Sequence, residues 1–180
     1  MRVTTPLRRF SDYKSVSELT LANAAVKGTR VHEACVAWAT GGYLLEPFKD
    51  DAGYIQSFIN WHDDNVIKLI AYEVELVDRN LDLSGHPDFL FRLKNAKLAL
   101  IDIKTPVQRQ RIWEAQLAAY YHLVANCSYY GQPDLTASLQ LDPNGGVPRM
   151  TILEKPEDHW WGFYHAFMAE KYFNPKGEEE

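Results

Sequence analysis

Two acids and an amine stand close together in this chain: Asp88 within Gly85-His86-Pro87-Asp88, and Asp102 and Lys104 within Asp102-Ile103-Lys104, with Gln116 and Tyr120 following. Carboxylates that meet repel each other, and one takes up a proton unless a cation sits between them. Oxygen ligands at a solvent-reachable edge suit Mg²⁺ or Mn²⁺, which keep several waters and often bind phosphate as well. The plainer reading is an ion pair where a strand emerges into water, since an Asp-x-Lys spacing is common and both charges are cheap there. What decides between them is what the neighbouring elements bring to the same place.

Residues 98 to 104 form a short apolar run bounded by Asn95 and Pro106, the pattern of a buried central strand. Side chains alternate, so Leu98, Leu100, Asp102 and Lys104 share one face and Ala99, Ile101 and Ile103 the other. Residues 83 to 93 read as a second strand, with Phe89, Phe91 and Leu93 on one face and Asp88, Leu90 and Arg92 on the other. Lys94-Asn95-Ala96-Lys97 is polar and short enough to close an antiparallel hairpin. Such a hairpin sets the start of the first strand beside the end of the second, and Asp88 converges on Asp102. Residues 66 to 77 are rich in β-branched and apolar types and are expected to pair with 83 to 93 through Arg79-Asn80-Leu81-Asp82. Glu73 and Glu75 share one face of that strand. Either reaches towards Asp88, and either serves equally well as an ordinary exposed glutamate.

The first sixteen residues, with Arg8, Arg9 and Lys14 among small and polar ones, read as a loose lead-in. From Ser17 to about Thr40 the pattern is helical, with a break expected near Gly28 and a stop at Gly41-Gly42. In the half that starts at Thr29, Val31, Cys35 and Trp38 make an inward face, and His32 sits beside it. A single histidine there is more often a boundary residue than a ligand. Residues 49 to 64 form another helix, whose His62, Asp63 and Asp64 are adjacent and do not face one point, so they read as a solvated end. Gln108-Arg109-Gln110-Arg111 leads into a helix to about Asn126, striped by Trp113, Leu117, Tyr120 and Val124, with Gln116 and Tyr120 one turn apart. Two strands, 135 to 141 and 147 to 153, flank the turn Asp142-Pro143-Asn144-Gly145-Gly146. A last helix over 156 to 173 begins at Pro156 and turns Trp160, Phe163 and Phe167 inward, before an acidic tail from 174 to 180. The order describes one α/β (α+β) domain spanning 1–180, a central mixed sheet flanked by helices.

At 180 residues the chain suits one ordinary core, and its 46% hydrophobic and 24% charged content is that of a soluble globular domain. Cys35 and Cys127 are too few for a disulfide framework or a four-cysteine metal site, which fits a reducing cytoplasm. No apolar run approaches the roughly 20 residues that cross a bilayer, so no membrane partner is expected. A net charge of −5, from 19 basic and 24 acidic residues, argues against a nonspecific coat for duplex DNA. It is compatible with an enzyme whose acids hold metal and whose basic residues line one groove.

In order along the chain, Gly28-Thr29-x-x-His32, Gly85-x-Pro87-Asp88, Asp102-Ile103-Lys104-Thr105 and Gln116-x-x-x-Tyr120 resemble the PD-(D/E)xK nuclease superfamily, and within it the RecB-like and phage-type exonuclease branch. The resemblance spans roughly residues 28 to 124. It implies a restriction-endonuclease-like domain and a Mg²⁺- or Mn²⁺-dependent deoxyribonuclease, more an exonuclease than an endonuclease. The setting it implies is phage or bacterial recombination, repair or DNA degradation, in the cytoplasm of a bacterium or an infected host. Carried over residue by residue, His32, Asp88 and Asp102 would hold one or two ions, with the backbone carbonyl of Ile103 completing the set. Lys104 would polarise the attacking water or steady the transition state, as suits a compact point charge. Gln116 and Tyr120 would position the substrate backbone or the lysine, and the upstream acid would be Glu73 or Glu75, Glu73 slightly favoured. Arg30, Arg109 and Arg111 are the candidate contacts to nucleic acid, although a solvated helix start also explains the last two.

The chain departs from the pattern in three ways. Val36 stands where some relatives carry an acid four residues after the histidine, leaving that role lost or passed to Glu33. The four cysteines of the iron–sulfur branches are missing, so no iron–sulfur cluster is expected. A helicase portion is missing too, so any motor or recombination partner would be a separate protein. The competing readings are a nucleic-acid-binding or assembly module that keeps the fold without turnover, and a nuclease that cleaves RNA.

Overall fold

Alternation of apolar residues through 89–93 and 98–104 builds the middle of the molecule, because each of these strands buries both faces. In the computed structural model, which describes residues 1–11, 16–106 and 108–174, they are the central pair of a five-stranded sheet. The elements run α1 (Glu18–Ala39), α2 (Lys49–Asn65), β1 (Val66–Tyr72), β2 (Leu76–Asp78), β3 (Leu83–Gly85), β4 (Phe89–Leu93), β5 (Leu98–Lys104), α3 (Ile112–Cys127), β6 (Leu135–Gln140), β7 (Arg149–Ile152) and α4 (Pro156–Phe173). The sheet order is β1-β4-β5-β6-β7; β5 and β6 are parallel and the other neighbours antiparallel. A parallel pair needs a long crossover, and α3 supplies it. This is a single α/β domain, a mixed sheet with four helices packed against it.

The two faces of the sheet carry separate cores, as the alternation requires. Phe89, Phe91, Ala99 and Ile101 pack with Val31 and Cys35 of α1 and with Tyr54 and Phe58 of α2. Leu90 and Leu100 pack on the other side with Ala119 and Leu123 of α3 and with Phe163 and Phe167 of α4.

Three expectations change. The helix expected to break at Gly28 is continuous: α1 runs 22 residues through it. One glycine costs an exposed helix only about 1 kcal/mol, which its helix-forming neighbours and the docking of Val31 and Cys35 outweigh. Its end does lie at Gly41-Gly42, where Gly41 takes φ +70° and the Gly42 and Gly41 N–H groups donate to Ala37 O and Trp38 O. The strand expected over 66–77 is two, as is that over 83–93. The outer halves, β2 and β3, leave the main sheet as a two-stranded ribbon of their own. The lead-in is docked rather than loose: Val3 and Leu7 are buried, and the Val3 N–H donates to Ser84 O. Residues 12–15 of that lead-in, including Lys14, and 175–180 of the acidic tail lie outside the described residues.

Only the C-terminal half of α1 joins the core. Its N-terminal half stands clear, with Leu19 72% and Val26 55% exposed. On α2, a side chain at Gly53 would meet the Pro143 carbonyl oxygen at 1.8 Å, so the helix rests directly on the β6–β7 turn.

Candidate active site

The β4–β5 register pairs Phe89 with Ile101, which places Asp88 opposite Asp102 at the mouth of the hairpin. Asp88 is fixed from both sides: its Oδ2 accepts from the Ile103 N–H at 2.8 Å, and its Oδ1 lies 3.3 Å from His32 Nε2. The other ring nitrogen of His32 lies 3.3 Å from Glu73 Oε1. On the β5 side, Lys104 Nζ is 2.5 Å from Asp102 Oδ2 and donates to Gln116 Oε1 at 3.0 Å. Gln116 Nε2 then donates to the Tyr120 hydroxyl at 3.2 Å. His32, Glu73, Asp88, Asp102, Lys104 and Gln116 thus line one cavity of about 730 Å³, to which Ile103 also contributes. Tyr120 is buried behind Gln116.

Glu73 reaches the site through an unusual backbone. Its φ is +44°, a left-handed conformation that is strained for a residue with a side chain. The strain is held by its own N–H, which donates to Pro87 O and Asp88 O. This kink ends β1 and separates the two candidate acids: Glu73 joins His32, whereas Glu75 stays exposed, 3.8 Å from His86.

The electrostatics are those of an incompletely compensated site. Asp102 is 1% exposed, and burial pushes its carboxyl up to about 6, with the charge of Asp88 adding to the rise and Lys104 and His32 opposing it. Burial works to lower the His32 ring, but the close Asp88 carboxylate, with Glu73 and Asp102, outweighs it and raises the ring above its usual value. Tyr120 is pushed up by burial and by Asp102, which keeps its hydroxyl protonated. His32 Nε2 and Asp102 Oδ2 are buried yet make no hydrogen bond of acceptable geometry, although each has a charged neighbour close by. Buried polar atoms of this kind carry a desolvation cost that a bound cation relieves. Two carboxylates, a histidine and a third acid at the rim fit Mg²⁺ or Mn²⁺ by donor type. They are more open than a closed coordination sphere: among the described residues, the one trio of ligand atoms all within 4.8 Å of one another is Asp78, His122 and Cys127, elsewhere in the fold.

The candidate nucleic-acid contacts fare differently. Arg30 points away from the cavity and donates twice to the buried Asp51, at 2.6 and 3.1 Å, beneath the Phe48 ring. It ties α1 to α2. Arg109 pairs with Glu114 beside a different cleft, and Arg111 is exposed at the start of α3, off the cavity lining. Glu33 borders the Arg30 side of α1 and is not among the residues lining the cavity. The wall that sequence reasoning missed is the free half of α1, with Leu21, Ala25 and Gly28 lining the cavity above His32. Their spacing of four, three and four residues to His32 is one helix face, a signal hidden by the expected break at Gly28.

No family model and no curated protein matches the chain. Among solved structures, the crystal structure of SSO0001 matches with a TM-score of 0.52 at 16% identity, over 99% of this chain and 77% of that one. At that identity the likeness is one of fold.

Proposed function

We propose that this protein is a divalent-metal-dependent nuclease that hydrolyses DNA phosphodiester bonds, acting more on ends than within strands, in recombination, repair or degradation of bacterial or phage DNA. The observation that carries the reading is the convergence of Asp88, Asp102, His32 and Lys104, from three separate elements, on one solvent-open cavity. The preference for ends and the biological setting rest on the motif resemblance alone.

Asp88, Asp102 and His32 would hold the ion, with Glu73 at the rim. When bound, Mg²⁺ or Mn²⁺ supplies a hydroxide-like water near neutral pH and neutralises charge on the phosphate. Lys104, held between Asp102 and Gln116, would offer its ammonium to a water or a non-bridging oxygen. Tyr120 fixes Gln116 in turn. Water gives up a proton as its oxygen bonds to phosphorus, the bond from phosphorus to the leaving oxygen breaks, and that oxygen takes up a proton in return.

The test is digestion of labelled linear and circular DNA with Mg²⁺, Mn²⁺ or EDTA. Linear DNA should be lost only with metal. Asp102→Asn should abolish the loss, and Lys104→Ala should slow it by about 10²- to 10³-fold, the usual effect of removing one preorganised charge-stabilising group. Binding without cleavage under every condition favours a non-catalytic module, and preferential loss of RNA moves the substrate class.

A further inference from the structure

We propose that Asp78, His122 and Cys127 form a second metal site, separate from the cleft and suited to Zn²⁺ rather than Mg²⁺. Asp78 closes β2, His122 and Cys127 lie in the last turns of α3, and one ligand atom from each falls within 4.8 Å of the others. None of the three lines the cleft.

The donors are held before any ion arrives. Asp78 Oδ1 accepts from the Asn80 and Leu81 N–H groups at 2.9 and 3.2 Å, which aims Oδ2 at His122 Nε2, 2.9 Å away. The His122 ring lies flat on Trp160, with centroids 4.0 Å apart and planes 11° from parallel, and its Nδ1 is 3.3 Å from the Asn126 side-chain amide. The stacking fixes the plane of the ring, and the Asn126 N–H donated to Nδ1 keeps the Nε2 edge turned to Asp78. His122 also borders a cavity of about 410 Å³ between α3 and the start of α4.

The donor types select the ion. Carboxylate, imidazole and thiolate together suit a borderline-soft tetrahedral cation, whereas Mg²⁺ demands oxygen. Charge balances as well: the Asp78 carboxylate and a Cys127 thiolate neutralise a dication, so the loaded site adds no net charge to a half-buried place. On loading, the thiol proton leaves to solvent and the ring proton passes from His122 Nε2 to Nδ1, which requires the Asn126 amide, whose nitrogen faces Nδ1 without an ion, to turn its oxygen there as acceptor. Without an ion, burial and the neighbouring Asp78 hold the thiol protonated and the same atoms tie β2 to α3 by hydrogen bonds.

Co²⁺ is the probe, because thiolate ligation gives it a charge-transfer band in the near ultraviolet. Titration of the reduced full chain should raise that band to saturation at one equivalent, and Zn²⁺ should abolish it. The band should be lost in Cys127→Ser and kept in Cys35→Ser. Asp102→Asn should keep the band while losing any cleavage, which separates this site from the nuclease reading. Should Cys127→Ser fail to fold, the wild-type chain still decides: Zn²⁺ should protect Cys127 from alkylation, read by peptide mass spectrometry. Absence of the band in the wild type, its persistence in a folded Cys127→Ser variant, or alkylation of Cys127 at an unchanged rate overturns the proposal.

Discussion

Asp102 sits at an energetic disadvantage that its neighbours only partly relieve. Its carboxyl is raised from an ordinary value of 3.8 to about 6, so the folded protein binds that proton more tightly than the unfolded chain does. By linkage, the stability associated with Asp102 is fully present below about pH 4 and is lost as pH rises through about 6. In EDTA, the melting temperature of the wild type should therefore fall relative to that of Asp102→Asn between pH 4 and 7. Parallel curves for the two proteins would show that Asp102 is better compensated than its burial implies. The site acids were legible in the sequence because a short hairpin places Asp88 opposite Asp102 by local pairing alone. Arg30 was not, because its partner Asp51 lies in the next helix and no local pattern marks the pairing.

Among the elements, the positions of helices and strands followed from periodicity, and the errors all fall where tertiary contacts overrule it. The β-branched run from Val66 to Val77 gives no sign that the chain kinks at Glu73, since that φ is imposed by hydrogen bonds to Pro87 and Asp88 across the gap. The docking of α2 on the β6–β7 turn is equally silent in sequence, yet it makes a sharp prediction. A methyl at Gly53 would overlap the Pro143 carbonyl, a backbone atom with little room to yield. Gly53→Ala should destabilise the protein by about 1–3 kcal/mol or more, although alanine ordinarily favours a helix over glycine. Urea denaturation measures it; an unchanged or raised midpoint would mean that turn and helix part easily.

The molecule as a whole is acidic, and the cations lining its cleft, among the described residues, are Lys27 and Lys104 beside His32. With Arg30 committed to Asp51 and Arg109 to Glu114, phosphate contacts near the cleft are few. Two neutralised phosphates give a slope of log affinity against log salt of about −1.4 for single strands and −1.8 for duplex. Fluorescence anisotropy of a labelled oligonucleotide with Asp102→Asn should return a slope near those values. A slope steeper than about −4 would reveal an extended basic surface elsewhere. The modest net charge pointed this way in the sequence, but which arginines were occupied became visible only in three dimensions.

Because α1 is one unbroken rod, its two ends live in different worlds. The stretch around Val31 and Cys35 is clamped by the core, while Leu21, among the described residues, belongs to no core cluster. Amide hydrogens near Leu21 should trade with deuterium from solvent well before those near Cys35, and an oligonucleotide seated in the cavity should slow the fast end selectively. The histidine rides on the fixed end of that rod, so slow exchange there would go with a firmly placed His32.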